Sequence, residues 1–244
     1  MDVKTAGRTV EIFETFADAK EPLSLSEIGR ALQAPMSSCL YLVRALENRG
    51  YLYAVGPRKH IYPTRKLFNL GKAIATGESW IDRLEPVLVE LRDTTRETVI
   101  LGKRQSNKVI YLALLEGPQT IRYSAKVGDL KPLHSTSIGK ALLSSLGLPE
   151  RKKLIAKLSL DAVTKTTITE QVSLLKELDK TAARGYSESR GENVADVTAY
   201  AKAVALGPDQ YGIAIAGPTY RMTPAMKGHV EKLIKTCRKI ETME

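Results

Sequence analysis

Apolar residues recur at helical spacing through the first fifty positions and at strand spacing only later, so the pattern alone divides the chain. Val10, Phe13 and Ala17 stand at i, i+3, i+7, with Ile12 and Phe16 widening the stripe, and predict a helix over 5–18. Lys20-Glu21-Pro22 breaks it. Ser24 and Glu27 have capping-box spacing, and Leu25, Ile28, Ala31 and Leu32 then form the apolar face of a second helix of about nine residues. Pro35 suits the first position of a third helix running to Arg49, because its missing N–H has no intrahelical partner there. That helix turns Cys39, Leu42, Val43 and Leu46 inward and Ser37, Ser38, Tyr41, Arg44 and Asn48 outward, and Gly50 stops it.

After the stop, residues 51–55 and 60–62 bracket Gly56-Pro57-Arg58-Lys59, which predicts a two-stranded hairpin with a basic tip. Three helices followed by a hairpin is the winged helix-turn-helix arrangement. Its third helix is sized for a DNA major groove, where Ser37, Ser38, Tyr41 and Arg44 reach phosphates and base edges, and Arg58 and Lys59 grip the backbone nearby.

Residues 65–76 predict a helix with weak points at Gly71 and Gly77, and a second follows over 79–95. Glu97–Gly102, Lys108–Leu115 and Gln119–Lys126 predict three antiparallel strands separated by short turns. Helices are expected at 136–146, 149–158 and 168–184, the last with Thr167 and Glu170 at capping-box spacing and Gly185 as its stop. Strands near 186–190, 198–206 and 211–217 and a closing helix from 224 complete an α+β domain of sensor type. The domain expectation is 1–64 for the winged helix-turn-helix, 65–78 for a linker helix and 79–244 for effector binding and oligomerisation.

Charge sharpens this division. The 244 residues carry 37 Lys and Arg against 27 Asp and Glu, a formal +10. Arg44, Arg49, Arg58, Lys59, Arg65, Lys66 and Lys72 against Glu47 alone put a surplus of six charges between residues 44 and 72, which favours an anionic partner for this segment. Composition near globular averages excludes collagen, coiled coil and disorder. Cys39 and Cys237 lie in separate apolar patterns and read as packing residues of a reducing compartment. Early charges and the lack of a long apolar run argue against secretion and membrane spanning, leaving the cytoplasm as the expected location.

The common hydrolase, nucleotide and zinc signatures are absent. His60, His134 and His229 lie far apart without local Cys or His partners, so no metal site and no cofactor is expected. One segment, Lys131 to Lys140, is rich in hydroxyls at a helix start. It reads as an N-terminus whose free N–H groups bind a carboxylate without reaction. The alternative is a small-acid hydrolase or transferase using His134 and Ser135. A third reading pairs the sensor with another protein through residues 1–76.

The sequence resembles the IclR-type bacterial transcriptional regulators over nearly its whole length. The resemblance rests on Arg8–Ala17 through Pro35-Met36-Ser37-Ser38 to Gly50-Tyr51-Leu52, with Tyr62-Pro63-Thr64 and Leu70-Gly71. It rests also on Pro132-Leu133-His134 with Gly139-Lys140-Ala141, and on Gly185-Tyr186 with Ile213 to Pro218. It implies a winged-helix DNA-binding domain joined by a helix to a GAF-like effector domain, working as a homodimer or dimer of dimers on a double-stranded operator. It implies no enzyme: a small organic acid from catabolism changes DNA affinity or activation, and catabolic genes are controlled.

Carried over by position, the resemblance places the effector at Tyr123, Lys131, Ser137, Ile138, Ser189, Ala199, Ala214 and Ala216. Relatives that bind small keto acids use an acid, a cysteine and serines where this chain has Ser189, Ala199, Ala214 and Ala216. A roomier, less polar pocket and a bulkier, aromatic acid are therefore expected. Lys131 replaces a usually apolar residue, Arg190 an acidic one, and Tyr41 stands where many relatives carry arginine.

Overall fold

The computed structural model describes residues 3–75 and 80–243, whose contacts fall into two units, one within residues 1–79 and one within 80–244. In the first, α1 (Lys4–Ala19) buries Ile12 and Phe16. Val10, expected in that stripe, is 58% exposed. Two residues along a helix is about 200° around it, so Val10 and Ile12 cannot face one core. The predicted capping box forms at α2 (Leu25–Ala31): Ser24 Oγ accepts from the Glu27 N–H at 3.3 Å, and the Ser24 N–H donates to Glu27 Oε2 at 2.7 Å.

Pro35 stands at the N-cap of α3 (Met36–Asn48) rather than inside it, its carbonyl accepting from Cys39 N–H. Cys39, Val43 and Leu46 are the buried residues of α3, and they meet Ile12, Phe16, Leu23, Ile28, Leu52 and Ile61 in one core. Strands β1 (Leu52–Val55) and β2 (His60–Pro63) pair antiparallel from Leu52↔Pro63 to Val55↔His60. Leu23 bridges to Ile61 on the other side of β2 by two backbone hydrogen bonds. Helix α4 (Lys66–Ala75) buries none of its residues and exposes Leu67, Phe68, Leu70 and Ile74. Residues 76–78 of the expected linker, including Gly77, and residue 79 lie outside the described residues.

The second unit is a six-stranded antiparallel sheet in the order β5-β4-β3-β8-β7-β6. Its strands are β3 (Thr98–Gln105), β4 (Lys108–Leu115), β5 (Leu130–Pro132), β6 (Ser187–Arg190), β7 (Val197–Leu206) and β8 (Asp209–Pro218). Helices α5 (Trp80–Thr95) and α10 (Met226–Glu241) cover one face, with Leu88, Leu91, Leu233 and Ile240 fully buried against Tyr200, Ile213 and Ile215. On the other face, α6 (Ser137–Ser144) and α8 (Gln171–Arg184) bury Ile138, Leu143, Leu174 and Leu178 against Ile100, Ala201 and Ala214. Helix α7 (Leu148–Ile155) follows α6, and a single turn, α9 (Thr219–Met222), precedes α10.

The second unit differs from expectation in three places. Residues 119–126 form no strand; the sheet takes 130–132 as its edge instead, because this segment's polar groups are held by side chains. Thr98 Oγ1 donates to the Tyr123 carbonyl at 2.6 Å, and Arg221 Nη2 donates to the Ile121 carbonyl at 2.9 Å. The Thr167–Glu170 capping box is also absent. Thr167 Oγ1 accepts from Val163 and Thr164 N–H and donates to the Glu192 carbonyl, so α8 begins at Gln171 with Glu170 as an unassisted N-cap. The α9 turn is the third difference, since its four residues carry no apolar periodicity to announce a helix.

Candidate functional site

Two surfaces carry the candidate chemistry. On α3, Ser37, Tyr41, Arg44 and Asn48 lie at i, i+4, i+7, i+11 and are all exposed, Tyr41 by 72%. Burial of the opposite face dictates this, since Cys39, Val43 and Leu46 anchor the helix inward. Ser38 is half-buried beside the stripe. The hairpin turn holds Arg58 and Lys59 outward, with Gly56 at φ +70° and Lys59 at φ +50°. Lys66, counted in the basic cluster, instead supports the fold. Its Nζ donates to the Arg49 carbonyl at 2.7 Å, closing the end of α3, and lies 4.7 Å from the Tyr51 ring centre. Helix α3 has 13 residues and is about 20 Å long, a length that fits a major groove.

The second surface is a cavity at the N-terminus of α6. Seven of the eight effector residues named from the resemblance line it: Tyr123, Ser137, Ile138, Ser189, Ala199, Ala214 and Ala216. Strand register brings four together, because Ser189 pairs with Ala199 and Ala199 with Ala216, while Ala214 lies opposite Ile100. Close approach of α6 to the sheet rests on glycine. Gly102 and Gly212 are cross-strand partners, and a Cβ on Gly212 would lie 2.6 Å from Ile138 Cγ2. A Cβ on Gly139 would collide with the carbonyl oxygen of Leu133, which folds back under the helix start.

Lys131 is not in this cavity. It lies on β5, where its Nζ pairs with Asp129 at 3.1 Å, because the edge strand turns it away. The cavity also encloses only about 30 Å³, room for about two waters, rather than the roomier space expected from three alanines. Tyr111, Tyr123, Val194 and Val197 line the same small space. Sequence reasoning missed Ile100, Tyr111, Thr136, Asn193, Val194 and Val197. The first two are ordinary strand positions, and the last three belong to a loop and strand start with no motif.

At the helix start, Thr136 Oγ1 accepts from Gly139 N–H at 3.1 Å, and Lys140 N–H donates to the Thr136 carbonyl. The Ser137 and Ile138 N–H groups meet no acceptor among the described residues. Ser189 Oγ donates to the Ser135 carbonyl at 2.7 Å, so this hydroxyl already has a partner. His134 and Ser135 form no dyad. The His134 Nε2 bonds the Asp161 carbonyl oxygen at 3.0 Å, whereas Ser135 Oγ donates to Asn193 Oδ1 at 3.2 Å. No group of three or more His, Cys, Asp or Glu able to hold a metal occurs among the described residues.

A winged helix-turn-helix carrying exposed basic residues, followed by a sheet domain with a small cavity at a helix N-terminus, defines a ligand-responsive DNA-binding regulator. Comparison with known proteins gives the family. The profile described as "Bacterial transcriptional regulator IclR C-terminal" matches residues 76–242, and the "IclR helix-turn-helix domain" matches 5–56. The chain belongs to the IclR family of bacterial transcriptional regulators. It is similar to the transcriptional repressor AllR of Klebsiella pneumoniae, 29% identical over 96% of this chain and 88% of that protein. Among solved structures it resembles the Thermotoga maritima IclR at 24% identity and TM-score 0.80 over 98% of both chains. It also resembles an IclR homologue from Microbacterium hydrocarbonoxydans complexed with 4-hydroxybenzoate, at 25% identity and TM-score 0.75, again over 98% of both. These relatives are transcriptional regulators, and the chain is a regulator rather than an enzyme.

Proposed function

We propose that this regulator controls catabolic genes in response to a small carboxylic acid, an aromatic one above all, bound at the α6 cavity. The observation that carries this is the pairing of two unfilled backbone donors, on Ser137 and Ile138, with walls of alanine, isoleucine, valine and tyrosine. A helix N-terminus favours negative charge, and the walls favour a ring. The homologue complexed with 4-hydroxybenzoate supports the aromatic class. Because the cavity holds about two waters, the acid enters by displacing the Tyr123 segment or residues 191–197, and that displacement is the conformational difference an effector needs to act.

On DNA, Ser37, Ser38, Tyr41 and Arg44 read the major groove, and Arg58 and Lys59 hold the flanking phosphates. The chain works as a homodimer or dimer of dimers in the cytoplasm, with 1–64 as the DNA-binding domain, 65–78 as linker and 79–244 as the effector and oligomerisation domain. Fluorescence anisotropy against labelled fragments upstream of its own and neighbouring genes, across a salt series, tests the reading. Binding at least about a thousandfold tighter than to random DNA is expected. 4-Hydroxybenzoate or a related acid should shift that binding, and failure of every aromatic acid to do so would discard the effector class.

A further inference from the structure

We infer that Asn193 is a specificity-determining residue for the effector, donating its side-chain amide to the ligand's carboxylate, and that the buried Lys140–Glu192 pair positions it. The inference rests on the acid-binding reading given above and adds residues outside the effector set that the family resemblance supplies.

Asn193 lies in the loop joining β6 to β7, and that loop is pinned along its length. Gly191 turns at φ +68°, where a Cβ would stand 2.8 Å from the Ala195 carbonyl oxygen. Thr164 Oγ1 donates to the Gly191 carbonyl at 2.6 Å and Thr167 Oγ1 to the Glu192 carbonyl at 2.7 Å. Glu192 then turns inward, 8% exposed, and its Oε1 accepts from Lys140 Nζ at 2.6 Å. Lys140 is fully buried and sits on α6 two residues after Ile138. One turn of helix and one loop, both walls of the cavity, are thereby tied by a single ion pair.

This pair is a poor device for stability. Glu192 Oε2 is buried with no hydrogen-bond partner among the described residues, and burial pushes the Glu192 carboxyl above its ordinary range despite the lysine. Two apolar side chains of similar size would serve the fold as well or better. What an ion pair supplies that apolar contact does not is a fixed position of the loop relative to the helix. The next residue uses it. Asn193 Oδ1 accepts from Ser135 Oγ at 3.2 Å, which commits the oxygen and leaves the amide nitrogen, without a partner among the described residues, on a side chain that lines the cavity. With the Ser137 and Ile138 N–H groups, that makes three donors at one end of the space, an arrangement that accepts a carboxylate and disfavours an amide, whose NH₂ would meet donors.

The test is calorimetric titration of the full-length protein with acetate, benzoate and 4-hydroxybenzoate, each beside its neutral carboxamide. The wild type is expected to prefer acid to amide. Asn193→Asp and Asn193→Leu, at a half-buried position, should each weaken acid binding at least about tenfold, the loss of a hydrogen bond to a charged group. The double variant Lys140→Met, Glu192→Leu should keep its melting temperature, weaken acid binding about tenfold or more, and raise amide hydrogen exchange at residues 191–197. Acid affinity unchanged in both Asn193 variants overturns the specificity role while leaving the acid-binding reading standing. Affinity and exchange unchanged in the double variant overturn the positioning role. A wild type that binds amides as well as acids overturns carboxylate selection, and one that binds none of the six overturns the acid-binding reading and this inference together.

Discussion

The two units solve opposite problems of exposure. The first keeps its chemistry on an outer helix face: α3 is anchored by three buried side chains, and all the side chains assigned to DNA except the half-buried Ser38 stand in water. The second hides its chemistry in the interior, where every residue from Leu133 to Leu143 is buried and polar groups must find partners inside the fold. An outer-face site needs only a periodic helix with the right outward residues, so substitutions there should change binding and spare stability. A concave site is made by packing, so changes there act on both at once.

The largest effect is expected where the backbone itself approaches. Gly139→Ala drives a Cβ into the Leu133 carbonyl and should destabilise the second unit by more than about 3 kcal/mol. Urea unfolding followed through Trp80, the chain's single tryptophan, measures it. Arg221→Met comes next. Glu97 is 2% exposed and takes hydrogen bonds from Arg221 Nε at 2.5 Å and Nη2 at 2.8 Å. Its carboxylate would be left buried and uncompensated, at a cost of about 3 kcal/mol by the same assay. If either variant unfolds no more easily than wild type, the second unit is not held by close approach and paired charge as described.

On the outer face, Arg44→Ala should weaken operator binding by about 1–3 kcal/mol if it reads a base edge, with the unfolding midpoint unchanged. Arg58→Ala with Lys59→Ala should lower affinity for all sequences alike and flatten the slope of log affinity against log salt by up to about 1.8. An unchanged slope would show that the hairpin does not meet phosphates. The smallest effect is a pH dependence of the second unit. Burial holds the His229 imidazole below its ordinary pKa, with Glu97 pulling up and Lys232 pushing down. Between about pH 6.5 and the lower folded value the unfolded chain takes up a proton that the folded one refuses, so stability falls as pH drops through this window. His229→Gln should flatten that decline in unfolding curves collected from pH 7 to 5.

Legibility follows the same division. Every helix of the first unit and its hairpin were readable, because apolar periodicity and capping residues are local signals, as Ser24 with Glu27 shows. The inward set of α1 was not, since Val10 and Ile12 are equally apolar and only the neighbours decide which is covered. In the second unit the resemblance located seven cavity residues, yet periodicity could not, because Ser189, Ala199 and Ala216 meet only through register across three strands. Lys131 and residues 119–126 misled for a related reason. A lysine near a motif and an alternating segment both look purposeful until pairing with Asp129 and Thr98 gives each a different partner.

The sequence by itself determined the helices and hairpin of the first unit, the basic run from Arg44 to Lys72 and the family, because each is written in residues close together along the chain. Only the tertiary structure decided the size of the cavity, the part played by Lys140, Glu192 and Asn193, and the withdrawal of Lys66 from the free cations. Those depend on which distant side chains share a volume, and close packing and the hydrogen-bond needs of buried groups settle that only after the chain has folded.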